Sequence, residues 1–212
     1  MDSIAIHVES VSDQSWKEGW KSFFEPQLID DTLWIYPPWT PQPHGDFTIQ
    51  IDPGLAFGTG THETTQMMLS MMLRYLKDAP QTTVLDVGSG SGILSIAGAQ
   101  FGHDLEGIEI DPVAVKNARH NLVLNQCENV TLTVGSIDRD TTPRPWVLVN
   151  ILAKIIINIS KDIDAVAEDH LLLSGFIHAQ RDELINSFPN FRVVDERTLG
   201  QWGCVYMRRR TP

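Results

Sequence analysis

Three features of this 212-residue sequence predict an α/β fold with a seven-stranded, mostly parallel sheet, one antiparallel strand and helices on both faces. An apolar run at residues 84–87 leads into a turn with alternating glycines, and a helical pattern follows at once. Strand-like and helix-like segments then alternate, which is typical of right-handed crossovers between parallel strands. Two closing strand-like segments around Gly200 and Gly203 predict a hairpin, so one strand is expected to run antiparallel.

The composition is that of a chain able to bury a full core, since 42% of its residues are hydrophobic and 20% are charged. We expect residues 52–212 to form one domain, with residues 1–51 packed on it as an N-terminal extension. No apolar run is long enough to span a bilayer and the first residues lack a signal-peptide pattern, so we expect a cytoplasmic protein without a membrane partner.

Metal binding and disulfides are not predicted. Cys127 and Cys204 form neither a disulfide framework nor a Cys-x-x-Cys pattern, and we expect both to be reduced and packed. The seven histidines are scattered and form no metal-ligand pattern.

The formal net charge of −11 disfavours direct binding to nucleic acid, whose partners usually present a basic face. An acidic surface instead favours encounter with a basic protein. The run Arg208-Arg209-Arg210 is an exception, which we interpret as the solvated end of the last strand.

The N-terminal extension contains several short predicted elements. A strand is predicted within residues 1–11 and a helix with an aromatic face at residues 16–24. Strand-like runs at residues 33–36 and 47–51 flank a proline-rich turn. We expect two or three such strands to form a small antiparallel element at the mouth of the main domain.

A loop rich in glycine and hydroxyl side chains spans residues 52–65 and precedes a helix whose apolar stripe should pack inward. Such a loop can direct several N–H groups and the positive end of a helix toward a carboxylate. The alternative is an ordinary loop in which Thr61 caps the helix.

The glycine turn at residues 88–92 begins two residues after Asp86 and reads Gly-Ser-Gly-Ser-Gly. Glycines allow positive φ, and the absence of Cβ lets a ligand lie against the backbone. A dinucleotide fingerprint would place its third glycine where this chain has Ile93. The spacing resembles motif I of the class I methyltransferases that use S-adenosylmethionine. A structural turn or another nucleotide site is the alternative for this motif alone.

The strand at residues 105–110 delivers Glu109 to the carboxyl edge of the predicted sheet. Asp111 and Pro112 form a good N-cap and first-turn pair for the next helix, which leaves Glu109 without a capping role. Ribose hydroxyls bind to such an acceptor pair. We therefore predict that Glu109 binds ribose, the alternative being a plain exposed acid.

Two later strands are expected to end at the same edge. The strand at residues 130–134 leads to Ser136, Ile137 and Asp138, where adenine would lie, and the strand at residues 146–149 delivers Asn150. The remaining predicted elements are a helix at residues 153–166, a strand at 171–173, a helix at 180–188 and a hairpin at 191–208. Four placements thus converge on one cleft beyond the strand ends.

Residues 52–65, 85–94, 107–112 and 150–153 together resemble the ribosomal protein L-eleven methyltransferase (PrmA) family. The first segment is the specific one, because all class I methyltransferases share the glycine turn. The resemblance runs from about Trp16 to the end of the chain. It implies a Rossmann-like class I fold and an enzyme, expected to be monomeric, that transfers methyl groups from S-adenosylmethionine to lysine or N-terminal amines of a protein, such as a basic ribosomal protein.

Members of that family carry a separate N-terminal domain that recognises the ribosomal protein. Too few residues precede Trp16 for such a domain, so we expect a chain that lacks it. The alternative is a PrmA-like lysine methyltransferase that acts on a different protein.

The resemblance also implies the site residues. Asn150 and the adjacent backbone at Ile151 would accept hydrogen bonds from the target amine, and His62 would either take a proton or cap the helix. The residues implied to bind the cofactor are Phe57, Gly58, Thr59, Thr61, Thr65, Asp86, Gly88, Ser89, Gly90, Gly92, Glu109, Ile110, Ser136, Ile137 and Asn150.

Two other classes stay open. A methyltransferase for nucleic-acid bases would favour an Asn/Asp-Pro-Pro-aromatic motif and a basic groove, whereas this chain has Asn150-Ile151-Leu152-Ala153 and an acidic charge. A cofactor-binding protein without catalysis is the other alternative, and it is disfavoured because Asn150 and the loop of residues 52–65 are both present.

Overall fold

The computed structural model describes residues 24–54, 58–138 and 140–211. The strand predicted within residues 1–11 and nearly all of the helix predicted at residues 16–24 lie outside these ranges. Within them, the chain forms a three-stranded sheet and a seven-stranded sheet. In the described part of the chain, no helix has the length and apolar character needed to cross a membrane.

The small sheet consists of β1 (Gln27–Ile29), β2 (Leu33–Tyr36) and β3 (Phe47–Gln50). β1 and β2 are antiparallel, as predicted, but β2 and β3 run parallel. The prediction of a wholly antiparallel element was therefore wrong for its second pair. The proline-rich connection returns the chain to the beginning of β2 before β3 starts, as a crossover does and a tight turn does not.

The large sheet has seven strands in the order β6-β5-β4-β7-β8-β10-β9. Its strands are β4 (Thr83–Val87), β5 (Asp104–Glu109), β6 (Val130–Val134), β7 (Arg144–Asn150), β8 (Ala167–Ile177), β9 (Phe191–Leu199) and β10 (Trp202–Arg209). β10 is antiparallel to both of its neighbours, whereas the pairs among β4 to β8 are parallel. The predicted fold class is thereby confirmed.

Six α-helices of the described residues accompany the large sheet: α1 (Glu63–Tyr75), α2 (Ile93–Gln100), α3 (Pro112–Leu124), α4 (Ala153–Asn158), α5 (Ser160–Val166) and α6 (Arg181–Asn186). The helix predicted at residues 153–166 is in fact two, because Ile159 leaves the helical region with φ −103° and ψ 15°. The segment around this break is rich in isoleucine, whose β-branched side chains lower helix propensity.

Side chains of the central strands alternate between two cores, one on each face of the sheet. Val84 and Leu148 pack with residues of α1, α2 and α3. Leu85 and Val149 pack with residues of α4, α5 and α6. Both cysteines are free, as expected, and Cys204 is buried. Helices therefore cover both faces of the large sheet. A ligand site is expected at the carboxyl ends of the parallel strands.

Replacing Leu148 with alanine should reduce the free energy of unfolding by about 3 kcal/mol, because it leaves a cavity in the middle of a fully covered strand. Leu148 is 0% exposed. Urea unfolding followed by circular dichroism measures the change. The matched variant Val123→Ala, at a side chain that is 76% exposed, should cost less than about 0.5 kcal/mol. Equal losses in the two variants would contradict the assigned core.

Candidate active site

The carboxyl ends of β4, β5, β7 and β8 border one cavity of ≈ 390 Å³. This volume lies within the range of small-molecule sites, and ligands of open α/β sheets bind at this edge. The cavity is lined by Gly58, His62, Thr64, Gly88, Ser89, Gly90, Ile93, Leu94, Glu109, Asn150, Ile151, Leu152, Ile155, Gly175 and Trp202.

The glycine turn between β4 and α2 brings the backbone of Gly88 and Gly90 to the cavity wall, together with Ser89. Gly88 has φ +74°, and a Cβ built on it would lie 2.4 Å from Cγ2 of Ile151. Its N–H donates to the carbonyl of Ile108 at 2.8 Å, which ties the turn to β5. A side chain on Gly88 would therefore have to displace the side chain of Ile151.

Glu109, at the end of β5, presents a fixed carboxylate to the cavity. Its Oε2 accepts the N–H of Gly90 at 3.0 Å, and its Oε1 accepts the N–H of Asp111 at 3.1 Å. Asp111 is the N-cap of α3, as predicted, and accepts the N–H of Val113 at 2.8 Å. Each carboxylate oxygen of Glu109 can still accept a hydrogen bond from a hydroxyl. The two oxygens together are therefore suited to bind a vicinal diol.

Asn150, the last residue of β7, places an unused acceptor in the cavity wall. Its side chain is buried, and its Nδ2 donates to Oγ1 of Thr65 at 3.4 Å. Its Oδ1 has no hydrogen-bond partner within the described structure. Because a buried acceptor without a partner is costly, this oxygen is suited to receive an N–H from a ligand.

His62 is the N-cap of α1, the second of its two predicted roles. Its Nδ1 accepts the N–H of Thr64 at 3.3 Å and lies 2.8 Å from the Thr64 hydroxyl. The imidazole packs edge-on against the indole of Trp202, with ring centroids 5.0 Å apart. Both rings line the cavity.

The structure brings eight of the predicted residues together at the cavity: Gly58, His62, Gly88, Ser89, Gly90, Glu109, Asn150 and Ile151. Thr65 lies behind Asn150, and Gly92 is the N-cap of α2. Phe57 lies outside the described residues.

Five other predicted residues are not part of the cavity lining. The hydroxyls of Thr59 and Thr61 lie 3.2 Å apart, and both residues line a separate small pocket. Ile110 and Ser136 are exposed, and Ile137 is buried in the core beneath the sheet edge.

Asp86 lies under the glycine turn instead of in the cavity lining. It is 1% exposed, and its Oδ2 accepts the hydroxyl of Ser95 on α2 at 2.7 Å. Burial raises the pKa of this carboxyl from 3.8 to about 6, and the hydrogen bond from Ser95 opposes this rise. Alternation along β4 turns Asp86 toward α2, on the same face as Val84.

A pH dependence of stability follows from Asp86. The folded protein holds its proton more tightly than the unfolded chain, so the carboxyl stabilises the fold at acidic pH and this stabilisation is lost as the pH rises from about 4 to about 6. A shift of this size corresponds to about 3 kcal/mol. We expect Asp86→Asn to reduce this loss in urea unfolding at a series of pH values. An unchanged pH profile in Asp86→Asn would contradict the assignment.

Seven lining residues escaped prediction: Thr64, Ile93, Leu94, Leu152, Ile155, Gly175 and Trp202. Ile93 and Leu94 follow the predicted turn directly, so their position at the start of the helix could have identified them as lining residues. Trp202 lies between the turn glycines of the last hairpin, and only the pairing of β10 with β8 brings it to the cavity.

Gly175 holds the turn after β7 in place by close backbone contact. It has φ +92°, and a Cβ there would lie 1.8 Å from the carbonyl oxygen of Ile151. Gly102 has nearly the same φ, +91°, but beyond its chain neighbours no atom lies within 4 Å of the position that a Cβ would take, so it is a matched control.

Gly102→Ala should cost about 1–2 kcal/mol from the positive φ alone. Gly175→Ala should cost a further 1–3 kcal/mol, roughly, because Ile151 must move. Urea unfolding of both variants provides the comparison. The same loss in both would show that the contact with Ile151 has no energetic weight.

In the ranges described, the side chains of His, Cys, Asp and Glu form no group of three or more that would hold a metal ion. The sequence-based expectation of a site without metal stays a prediction.

A family model and two curated relatives point to the same family. Residues 1–210 match the family model described as "Ribosomal protein L11 methyltransferase (PrmA)". The ribosomal protein L11 methyltransferase of Clostridium botulinum (strain Eklund 17B / Type B) is 34% identical over 209 residues. The protein of the same name from Clostridium perfringens (strain SM101 / Type A) is 33% identical over 208 residues. Each alignment covers 94% of this chain and 66% of the relative, so the chain spans just under two thirds of their length.

A solved structure is similar in fold and in sequence. The crystal structure of ribosomal protein L11 methylase from Lactobacillus delbrueckii subsp. bulgaricus matches with a TM-score of 0.80 and 26% identity. The match covers 89% of this chain and 100% of that chain. The chain therefore belongs to the ribosomal protein L11 methyltransferase (PrmA) family.

Proposed function

We propose that the chain is an S-adenosylmethionine-dependent protein methyltransferase that modifies amino groups of a ribosomal protein, either a lysine side chain or the N-terminal amine. The observation that carries this proposal is the buried acceptor Oδ1 of Asn150, without a partner in the described structure, in the wall of a cavity that also contains Glu109 and the glycine turn. The names of the relatives support the substrate class.

The residues of the cavity fit S-adenosylmethionine by their chemistry. The fixed carboxylate of Glu109 matches the ribose hydroxyls, and the bare backbone of Gly88 and Gly90 allows close approach. We propose that Phe57, Thr59 and Thr61 contribute to binding the methionine end. Adenine is proposed to lie at the edge formed by Ile110, Ser136 and Ile137, and the buried Asp86 to support the glycine turn from beneath through Ser95. When bound, S-adenosylmethionine supplies a methyl group on a positively charged sulfur.

The protein's part in transfer is to align a neutral amine. In our proposal, Oδ1 of Asn150 accepts one N–H and thereby directs the nitrogen lone pair into the cavity, with the backbone at Ile151 as a second acceptor. The bond from Nδ2 to Thr65 sets this orientation of the carboxamide. Alignment of this kind supplies much of a displacement reaction's acceleration without a strong base.

His62 is proposed to shape the channel for the amine together with Trp202. Its Nδ1 accepts the N–H of Thr64, so in the neutral ring the proton is on Nε2. The ring contributes an aromatic surface to the cavity lining, and release of the amine's proton is left to water.

We also propose that the protein acts as a monomer in the cytoplasm and does not bind nucleic acid directly, which its formal charge of −11 supports. Residues 52–212 would form the catalytic domain, with residues 1–51 packed on it. Leu33, Ile35 and Ile49 of the small sheet share a core with α1, which supports this arrangement.

Transfer of labelled methyl from S-adenosylmethionine tests the proposal. The purified protein is incubated with ribosomal protein L11, with an unrelated basic protein, or with ribosomal RNA, and mass spectrometry locates the label. We expect label on amino groups of ribosomal protein L11 alone. Label confined to RNA, or binding of S-adenosylmethionine without transfer to any of these, would overturn the proposal.

A further inference from the structure

Two asparagines on α3 and a third at its C-cap, at helical spacing, hold the segment that leads into the loop of residues 52–65. Asn117, Asn121 and Asn125 follow one another every four residues, so their side chains share a face. Asn125 accepts the N–H of Gln50 at 2.8 Å and donates to its carbonyl at 2.7 Å. The amide thus pairs with Gln50 as a neighbouring strand would.

Asn121 makes a different connection, because it joins two separate parts of the candidate site. Its Oδ1 accepts the N–H of Asp52 at 3.0 Å, and its Nδ2 donates to the carbonyl of Ser91 at 2.9 Å. The side chain is 0% exposed. Loss of the amide would leave both backbone groups without these partners in a region sheltered from water.

Ser91 completes the connection to the other end of the loop segment. Its Oγ donates to the carbonyl of Gly58 at 2.5 Å, and the residue is fully buried. The path Asp52, Asn121, Ser91, Gly58 therefore links both ends of residues 52–58 to the glycine turn. Gly58 itself lines the cavity.

We infer that Asn121 is a positioning residue, which fixes Asp52 and Gly58 relative to the glycine turn in the geometry that binds the cofactor. The inference rests on the proposed function for its catalytic readout. Asn121 does not line the cavity, so it acts through Asp52, Ser91 and Gly58. Asn125 has equally short bonds, to Gln50 on β3 and to the backbone carbonyl of Asn121, but its side chain has no bond to the glycine turn, which makes it a matched control.

The test compares Asn121→Ala with Asn125→Ala in the whole protein. Hydrogen exchange by mass spectrometry follows peptides of residues 53–62, and steady-state kinetics with S-adenosylmethionine and ribosomal protein L11 give KM and kcat separately. Asn121→Ala should exchange about tenfold faster in this loop and raise KM for S-adenosylmethionine about tenfold, with kcat changed by less than about threefold. Asn125→Ala should leave this exchange rate and this KM near those of the wild type.

Equal effects of the two variants on loop exchange and on KM would overturn the inference, because the role would then be general stabilisation of α3. No change in Asn121→Ala would overturn it too. If Asn121→Ala does not fold, Ser91→Ala serves instead, because it removes only the bond to Gly58. It should speed loop exchange and raise KM for S-adenosylmethionine, both by less than Asn121→Ala would. Wild-type exchange and KM in Ser91→Ala would then overturn the inference. If the wild type binds no S-adenosylmethionine, the proposed function fails, and loop exchange alone decides the positioning role.

Discussion

Asn150→Ala is expected to lower kcat for methyl transfer by about 100-fold, because the target amine loses the acceptor that orients it. Affinity for S-adenosylhomocysteine should change by less than about tenfold, since at most one neutral hydrogen bond to that ligand, about 1 kcal/mol, is lost. The burial of Asn150 and its unpartnered Oδ1 carry this expectation. Single-turnover transfer to ribosomal protein L11 and calorimetry measure the two quantities separately.

The matched control for this variant is Asn158→Ala, at the exposed last residue of α4. Its kcat should equal that of the wild type. A wild-type kcat in Asn150→Ala would remove Asn150 from the mechanism, and parallel losses of kcat and of cofactor affinity would assign it to cofactor binding instead.

Glu109→Ala is expected to weaken binding of S-adenosylmethionine by about 100-fold, because charge-assisted hydrogen bonds to two hydroxyls are lost. The carboxylate is also held by the N–H groups of Gly90 and Asp111, so the turn loses a support in the same variant. Glu109→Gln keeps one side-chain oxygen and the length of the side chain, so its affinity for S-adenosylmethionine should fall by only about tenfold. Calorimetric titration gives both affinities.

Glu128→Ala, at an exposed carboxylate before β6, controls for the change in net charge. Its affinity for S-adenosylmethionine should match that of the wild type. Glu109→Ala with wild-type affinity would show that ribose does not bind at this carboxylate.

Those parts of the site that depend on neighbouring residues were predictable from the sequence. The turn after β4 is encoded by an apolar run and glycines, and the cap at Asp111 by the following proline. Glu109 and Asn150 were found because parallel strands end at a common edge. Each of these inferences needs only local pattern and one topological rule.

The parts that depend on long-range pairing were not predictable in the same way. Trp202 reaches the cavity because it pairs with Ile177 of β8, a register that neither segment specifies alone. Gly175 is special because the carbonyl of Ile151 approaches it, which only the packed structure reveals. The parallel pairing of β2 with β3 depends likewise on the path of a long connection. The link through Asn121 joins residues far apart in the chain and leaves no local signal.

A crystal structure of the protein with S-adenosylhomocysteine tests the central claim most directly. We expect the ligand to occupy the cavity beyond β4, β5 and β7, with both ribose hydroxyls within hydrogen-bonding distance of Glu109. Its sulfur should face Asn150, with room between them for an amine. A ligand bound elsewhere, or in this cavity with its ribose away from Glu109 and its sulfur away from Asn150, would contradict the account.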